Sequence, residues 1–214
     1  LSHQVTKEGS QYLEIINSEL NRMESILNEF LVLSKPSERS FEFFSLSSLI
    51  SQVVDFMYPQ GKMQNIELDF VSWNRESDGI FGDPYKLKKV FMNIFKNAIE
   101  VMPHGGKVEI TQTWTDDKQV CVSINDQGSG LTSEQMHKIF LPFYTSKEGG
   151  TGLGLAHAFQ TIENHGGSIE VESELNHGTT FYIYLPVYHL DAKNEKTDRH
   201  QPDKKPVWEV ITSN

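Results

Sequence analysis

The sequence predicts an α+β chain: a two-layer sandwich in which three helices cover one face of a mixed β-sheet, preceded by one long helix. Three observations carry that expectation. From Leu13 to Phe30 apolar residues recur at alternating spacings of three and four, a helical seam. Beyond residue 40 the hydrophobic period switches repeatedly, as it does where strands and helices follow one another. Pro36, Gly105–Gly106 and Gly166–Gly167 stand where the pattern breaks.

Each element follows in order. Leu13, Ile16, Leu20, Met23, Leu27 and Phe30 form the first seam, with Glu14, Asn17, Asn21 and Glu24 on the other faces, so this helix wants a partner helix. It ends near Lys35, because Pro36 disfavours helix in the residue before it, and "PSERS" reads as a linker. "FEFFS" is a short strand. "LSSLISQVVDFM" is an amphipathic helix with Leu46, Leu49, Ile50, Val53 and Phe56 inward, and "IELDFV" alternates as a strand. A helix from about Tyr85 to Met102 buries Leu87, Phe91, Ile94, Ala98 and Val101 before "HGG" ends it. "KVEITQTW" and "QVCVSIN" are strands joined across Asp116 and Asp117. A helix over 153–165 stops at Gly166 and Gly167. "SIEVES" and "TTFYIYLP" make an antiparallel hairpin across "ELNHG". After Pro186 the polar run "YHLDAKNEKTDRHQPDKKP" reads as a flexible tail, with "VWEVI" an apolar island of unassigned place.

Composition bounds the function. A net charge of −10 argues against a nucleic-acid or anionic-membrane binder, so any phosphate site must be built locally. The single cysteine, Cys121, allows no disulfide framework and suggests a reducing compartment. No apolar run reaches the ~18 residues of a membrane span. Beginning at "LSHQ", the sequence reads as part of something longer.

Four segments carry candidate chemistry. "EGGTGLGLAHA" places four glycines in seven residues at the mouth of a helix, where unpaired N–H groups favour an anion; a glycine-rich surface loop is the alternative. In "KKVFMNIFKNAIE", Asn93 and Asn97 share one helix face with Lys89, either as a solvated polar face or as a place where an amide oxygen meets Mg2+. In "NDQGSGL", Asp126 ends a strand before Gly128 and Gly130, which suits an ordinary turn or a carboxylate facing an exocyclic amine. "KIFLPFYTSKEGG" gathers aromatics around Pro142 and sets Lys147 beside the glycine run. The P-loop spelling is absent, and the dinucleotide fingerprint fails because Leu155 or His157 falls at its last position.

Together these segments resemble the ATP-binding domain of bacterial sensor histidine kinases, a Bergerat-type fold that type II topoisomerase, Hsp90 and MutL ATPases share. The resemblance covers roughly residues 40 to 187. It rests on the asparagine box "NIFKNA", the glycine boxes "DQGSG" and "GTGLGLA", the phenylalanine box "FLPFYTSK" and the closing "GTTF". The first helix resembles the second helix of the dimerisation and histidine-phosphotransfer hairpin, in the spelling of sporulation-type kinases of spore-forming bacilli.

The resemblance implies three units: residues 1–36 from the hairpin, 37–188 as the ATP-binding catalytic domain, and 189–214 as a charged tail. It implies ATP contacts from Asn93, Lys96, Asn97, Asp126, Gly128, Gly130, Leu131, Tyr144, Thr145, Lys147, Gly150, Thr151, Gly152, Leu153, Gly154, Leu155 and Thr179. Asn97 would be the principal Mg2+ ligand, Asp126 would read adenine with Thr179 in support, and the segment through the second glycine box would be a lid over the triphosphate. Leu153 and Leu155 would anchor the helix behind it. The γ-phosphate would pass to a histidine and then to a response-regulator aspartate. His3 lacks the family's Asn-Pro context and lies too close to Tyr12, so the acceptor is expected upstream of this chain. The implied partners are a response regulator, a second copy through the hairpin and a protein inhibitor, with no nucleic acid. The implied setting is a cytoplasmic domain of a membrane-anchored kinase. An ATP-hydrolysing clamp of the same superfold, or a nucleotide-binding module without kinase activity, is the alternative. Related hydrolases carry a glutamate where Asn93 stands, which favours transfer.

Overall fold

The computed structural model describes residues 41–72, 78–115, 118–147 and 150–189, together with Tyr12, Leu13, Ile16, Leu20 and Met23. Those five early residues are helical and exposed. The rest of the first seam, His3, the linker, Asp116–Asp117, the "VWEVI" island and the tail from residue 190 lie outside the described residues.

Two sheets organise the described chain. Strands β1 (Glu42–Phe44), β3 (Asp78–Gly82) and β8 (Tyr188–His189) form a small sheet in the order β1-β3-β8. Strands β2 (Ile66–Ser72), β4 (Gly106–Trp114), β5 (Gln119–Asp126), β6 (Ser168–Glu174) and β7 (Gly178–Pro186) form the main sheet in the order β2-β4-β5-β7-β6. Only β2 and β4 pair in parallel; the other three pairings are antiparallel, so the sheet is mixed. Helices α1 (Leu46–Met63), α2 (Pro84–Glu100) and α4 (Gly154–Asn164) are the long ones, and α3 (Ser133–Met136) is a single turn.

Alternation sorts the main sheet into two faces. Val108, Ile110, Val122, Ile124, Ile183 and Leu185 are buried and meet Ile50, Val53, Phe91, Ile94 and Ile162 in one core. The intervening Glu109, Thr111, Ser123, Thr180 and Tyr182 are polar or amphipathic and at least partly exposed. Helix starts follow local chemistry. Ser45 caps α1 by accepting the Ser48 N–H at 3.3 Å, and Asp83 caps α2 by accepting the Lys86 N–H at 3.1 Å, with Pro84 preset for the first turn. The far end of α4 is tied to that second cap: His165 Nε2 accepts the Asp83 N–H at 2.9 Å, so Nδ1 carries the proton toward Thr161 O at 2.7 Å.

The expected α+β sandwich is present, with three differences of detail. Phe56, expected inward, is 63% exposed, and Met57 is buried in its place at 4%. The buried row on α1 runs Val53, Met57, Gly61 at spacings of four, because the helix continues past the anticipated end, through Pro59 to Met63. Strand β3, spelled "DGIFG", was not anticipated, because glycine near both ends of so short a run looks like a turn. It recruits Tyr188 and His189 as β8, so ordered chain persists past Pro186, where composition predicts a tail. The α1 correction gives a contrast: Met57→Ala is expected to cost about 2–5 kcal/mol in urea unfolding and Phe56→Ala under about 0.5. The reverse order would place Phe56 in the core.

Candidate functional site

Helix α2 presents Asn93 and Asn97 one turn apart, both half-buried. Asn93 donates from Nδ2 to Gly154 O at 3.2 Å, which fixes its amide against the first turn of α4. The Asn97 side-chain oxygen accepts from Lys147 Nζ at 3.0 Å. The same ammonium meets Glu100 Oε2 at 2.5 Å. Lys96 is exposed and pairs with Glu100 at 3.8 Å. Residues far apart in sequence (93, 97, 147 and 154) thus converge on one patch.

Asp126 ends β5 with 3% exposure, opposite Thr179 of β7. Burial pushes its carboxyl above the usual carboxylate range, opposed by N–H bonds from Gly128 and Thr179 and by the positive charge of Lys147. The Gly128 N–H donates to Oδ1 at 2.8 Å. The chain behind it is stitched to the β6–β7 hairpin: Leu131 N–H donates to Ser173 Oγ at 2.8 Å, which lies 2.9 Å from Thr179 Oγ1. Gly130, at φ +65°, sits where a Cβ would fall 2.0 Å from Glu174 O, so the first glycine box is shaped by close backbone approach.

The phenylalanine box closes on the second glycine box. Phe143 N–H donates to Gly152 O at 2.9 Å, and both residues adopt φ +67°. Thr145 Oγ1 accepts the Lys147 N–H at 3.1 Å, and Gly150 N–H donates to Lys147 O at 3.2 Å, so this glycine's amide serves the loop itself. Leu153 is fully buried, while Tyr144 and Leu155 pack partly buried against the core. Thr151 is partly exposed, and its hydroxyl lies 3.4 Å from the Leu153 N–H. Helix α4 starts without any side-chain cap, which leaves the positive end of its dipole to the site.

The geometry therefore brings together Asn93, Asn97, Asp126, Lys147, Gly154 and Thr179's neighbourhood, and leaves Lys96 at the rim. Glu148 and Gly149 lie outside the described residues. Sequence reasoning missed Glu100 and Ser173. The spacing of Glu100 from Lys96, four residues on one helix, was the available clue; Ser173 had none, because its role depends on strand pairing. Among the described residues there is no cluster of three or more His, Cys, Asp or Glu that would cage a metal. A cationic group already sits on the Asn97 oxygen, so that atom suits a cation shared with phosphate oxygens rather than a dedicated protein cage.

The family model for histidine kinase-, DNA gyrase B- and HSP90-like ATPases matches residues 82–189. Sporulation kinase E of Bacillus subtilis (strain 168) is 41% identical over 92% of this chain, which spans 27% of that relative's length. The crystal structure of full-length ShkA in complex with AMPPNP matches at TM-score 0.75 and 25% identity, covering 87% of this chain and 40% of that one. Histidine kinase ThkA, in a crystal structure with response regulator protein TrrA, matches at TM-score 0.70 and 32% identity, covering 86% of this chain and 52% of that one.

Proposed function

This chain belongs to the histidine kinase-, DNA gyrase B- and HSP90-like ATPase family, and from that premise we propose that it is the catalytic region of a two-component sensor histidine kinase. The observation that carries the reading is the convergence of Asn93, Asn97, Lys147 and Gly154, with the buried Asp126 within the field of Lys147. Asp126 accepts a hydrogen bond from the adenine amine, held in place by the Gly128 and Thr179 N–H groups and backed by the Ser173–Thr179 hydroxyl pair. Gly130 and Leu131 shape the turn beside the base. Asn93, Lys96, Asn97, Lys147 and the uncapped start of α4 face the phosphates, while the described residues 144–147 and 150–154 belong to the lid. A Mg2+ ion held by Asn97 and phosphate oxygens would offset triphosphate charge, in keeping with the ion's habit of using few protein ligands.

The phosphorus–nitrogen bond to the acceptor histidine forms as the bond between the γ-phosphorus and the ADP oxygen breaks. That histidine belongs to an upstream hairpin helix, and the phosphoryl group passes on to a response-regulator aspartate. ThkA's complex with TrrA supports that partner class. Dimerisation through the hairpin, control by a protein inhibitor, membrane anchorage of the whole kinase and a sporulation role are part of the same proposal.

Two measurements test it. Asn97→Ala is expected to lose at least about tenfold in ATP affinity with Mg2+, roughly 1.4 kcal/mol, and little in its absence, with circular dichroism unchanged. An unaltered titration removes Asn97 from the site. With γ-labelled ATP, acid-labile label is expected only on a longer chain that includes the upstream helix. Label on the present chain that His3→Gln abolishes would make His3 the acceptor.

A further inference from the structure

Glu100 touches both lysines of the phosphate patch, Lys147 at 2.5 Å and Lys96 at 3.8 Å, and lies one turn beyond Asn97 on α2. We infer that Glu100 is a positioning residue of the nucleotide site: its carboxylate draws the Lys147 ammonium onto the Asn97 side-chain oxygen and so ties the lid to α2. A neutral amide oxygen alone holds an ammonium weakly in partly wet surroundings, whereas a carboxylate supplies a charge-assisted bond. The lysine and carboxylate are each about one-third exposed, at 36% and 34%, so the tie is modest and reversible. A divalent cation on the Asn97 oxygen would repel the Lys147 ammonium while the phosphates attract it, so the lysine shifts from Glu100 and Asn97 toward phosphate when a metal nucleotide binds. Glu100 thus sets a threshold: it holds the lid near α2 beforehand and competes with phosphate for Lys147 afterwards. This inference rests on the nucleotide reading above for its second half only.

The test uses the whole chain and two variants, Glu100→Gln, which keeps shape and removes charge, and Glu100→Asp, which keeps charge and shortens reach. Without nucleotide, cleavage by a nonspecific protease between Tyr144 and Gly152 should rise roughly two- to fivefold in both, the scale of losing one partly exposed ion pair. With a chelator present, ATP affinity should improve about three- to fivefold in Glu100→Gln, and that gain should vanish when Lys147→Met is combined with it. Unchanged cleavage overturns the tie. An equal gain in the Lys147→Met background overturns positioning and leaves only direct repulsion between Glu100 and phosphate. If the unsubstituted chain fails to bind ATP, the nucleotide reading falls, while the cleavage result still decides whether Glu100 holds the lid.

Discussion

Asp126→Asn is expected to weaken ATP binding by about one to two orders of magnitude while leaving the fold at least as stable at neutral pH. The loss is that of a charge-assisted hydrogen bond in a buried place, about 1.5–3 kcal/mol. An asparagine amide also turns its own donors toward an amine that needs an acceptor. The stability half follows from burial. With 3% exposure, Asp126 has its carboxyl pushed up by desolvation, only partly opposed by Gly128, Thr179 and Lys147. A folded-state value above the unfolded one means that the native protein binds the extra proton. Stability at this residue is therefore lower above the raised folded value and recovers as pH falls toward the ordinary carboxylate range. Nucleotide affinity moves the other way, since the protonated acid loses the charge-assisted bond and turns one oxygen into a donor. Wild type should thus lose ATP while gaining relative stability on mild acidification, and the asparagine variant should show neither trend. Calorimetric titration and thermal melts across that pH range read both. Equal affinity for the two proteins would exclude Asp126 from contact with the base.

Gly152→Ala is the second large effect. Gly152 adopts φ +67°, and a Cβ there would lie 2.4 Å from the Phe143 carbonyl carbon and 2.7 Å from the Tyr144 nitrogen. Left-handed backbone costs a non-glycine residue roughly 1–2 kcal/mol, and the overlap with neighbouring backbone adds more. The Phe143–Gly152 hydrogen bond that closes the loop should therefore open. Protease cleavage between Tyr144 and Gly154 should increase at least about tenfold without nucleotide, and ATP affinity should fall by a similar factor, about 1.4 kcal/mol. The core should melt nearly as before, because Leu153 and the helix behind it keep their burial. Cleavage and affinity indistinguishable from wild type would show that the loop closes by other means.

Long periodic elements were legible because their pattern is written in consecutive residues. The stripe of Leu87, Phe91, Ile94 and Ala98 specifies α2 and its buried face without outside help. The β6–β7 hairpin announces itself through alternation on both sides of a short turn. Strand β3 was not legible, since five residues with two glycines acquire strand geometry only through β1 and β8. Phe56 and Met57 are adjacent apolar residues, and which one faces the core depends on how α1 lies across the sheet. At the site, chemistry-bearing types in odd company, such as Asn93 with Asn97 or Asp126 before two glycines, were visible. The hydroxyl of Ser173 and the carboxylate of Glu100 gain their parts from neighbours distant in sequence.

The strand order of the main sheet has a consequence for synthesis. β7, made after β2, β4, β5 and β6, lies between β5 and β6 and, among the described residues, is the only neighbour of β6 in that sheet. A ribosome-bound chain that has emerged only through β6 therefore has an unmated β5 border and a fourth strand with nowhere to dock. Assembly of the sheet waits for one late segment, Gly178–Pro186, and then completes on both of its sides at once. A nascent chain stalled before that segment should recruit chaperones that a chain released a few residues later would not need.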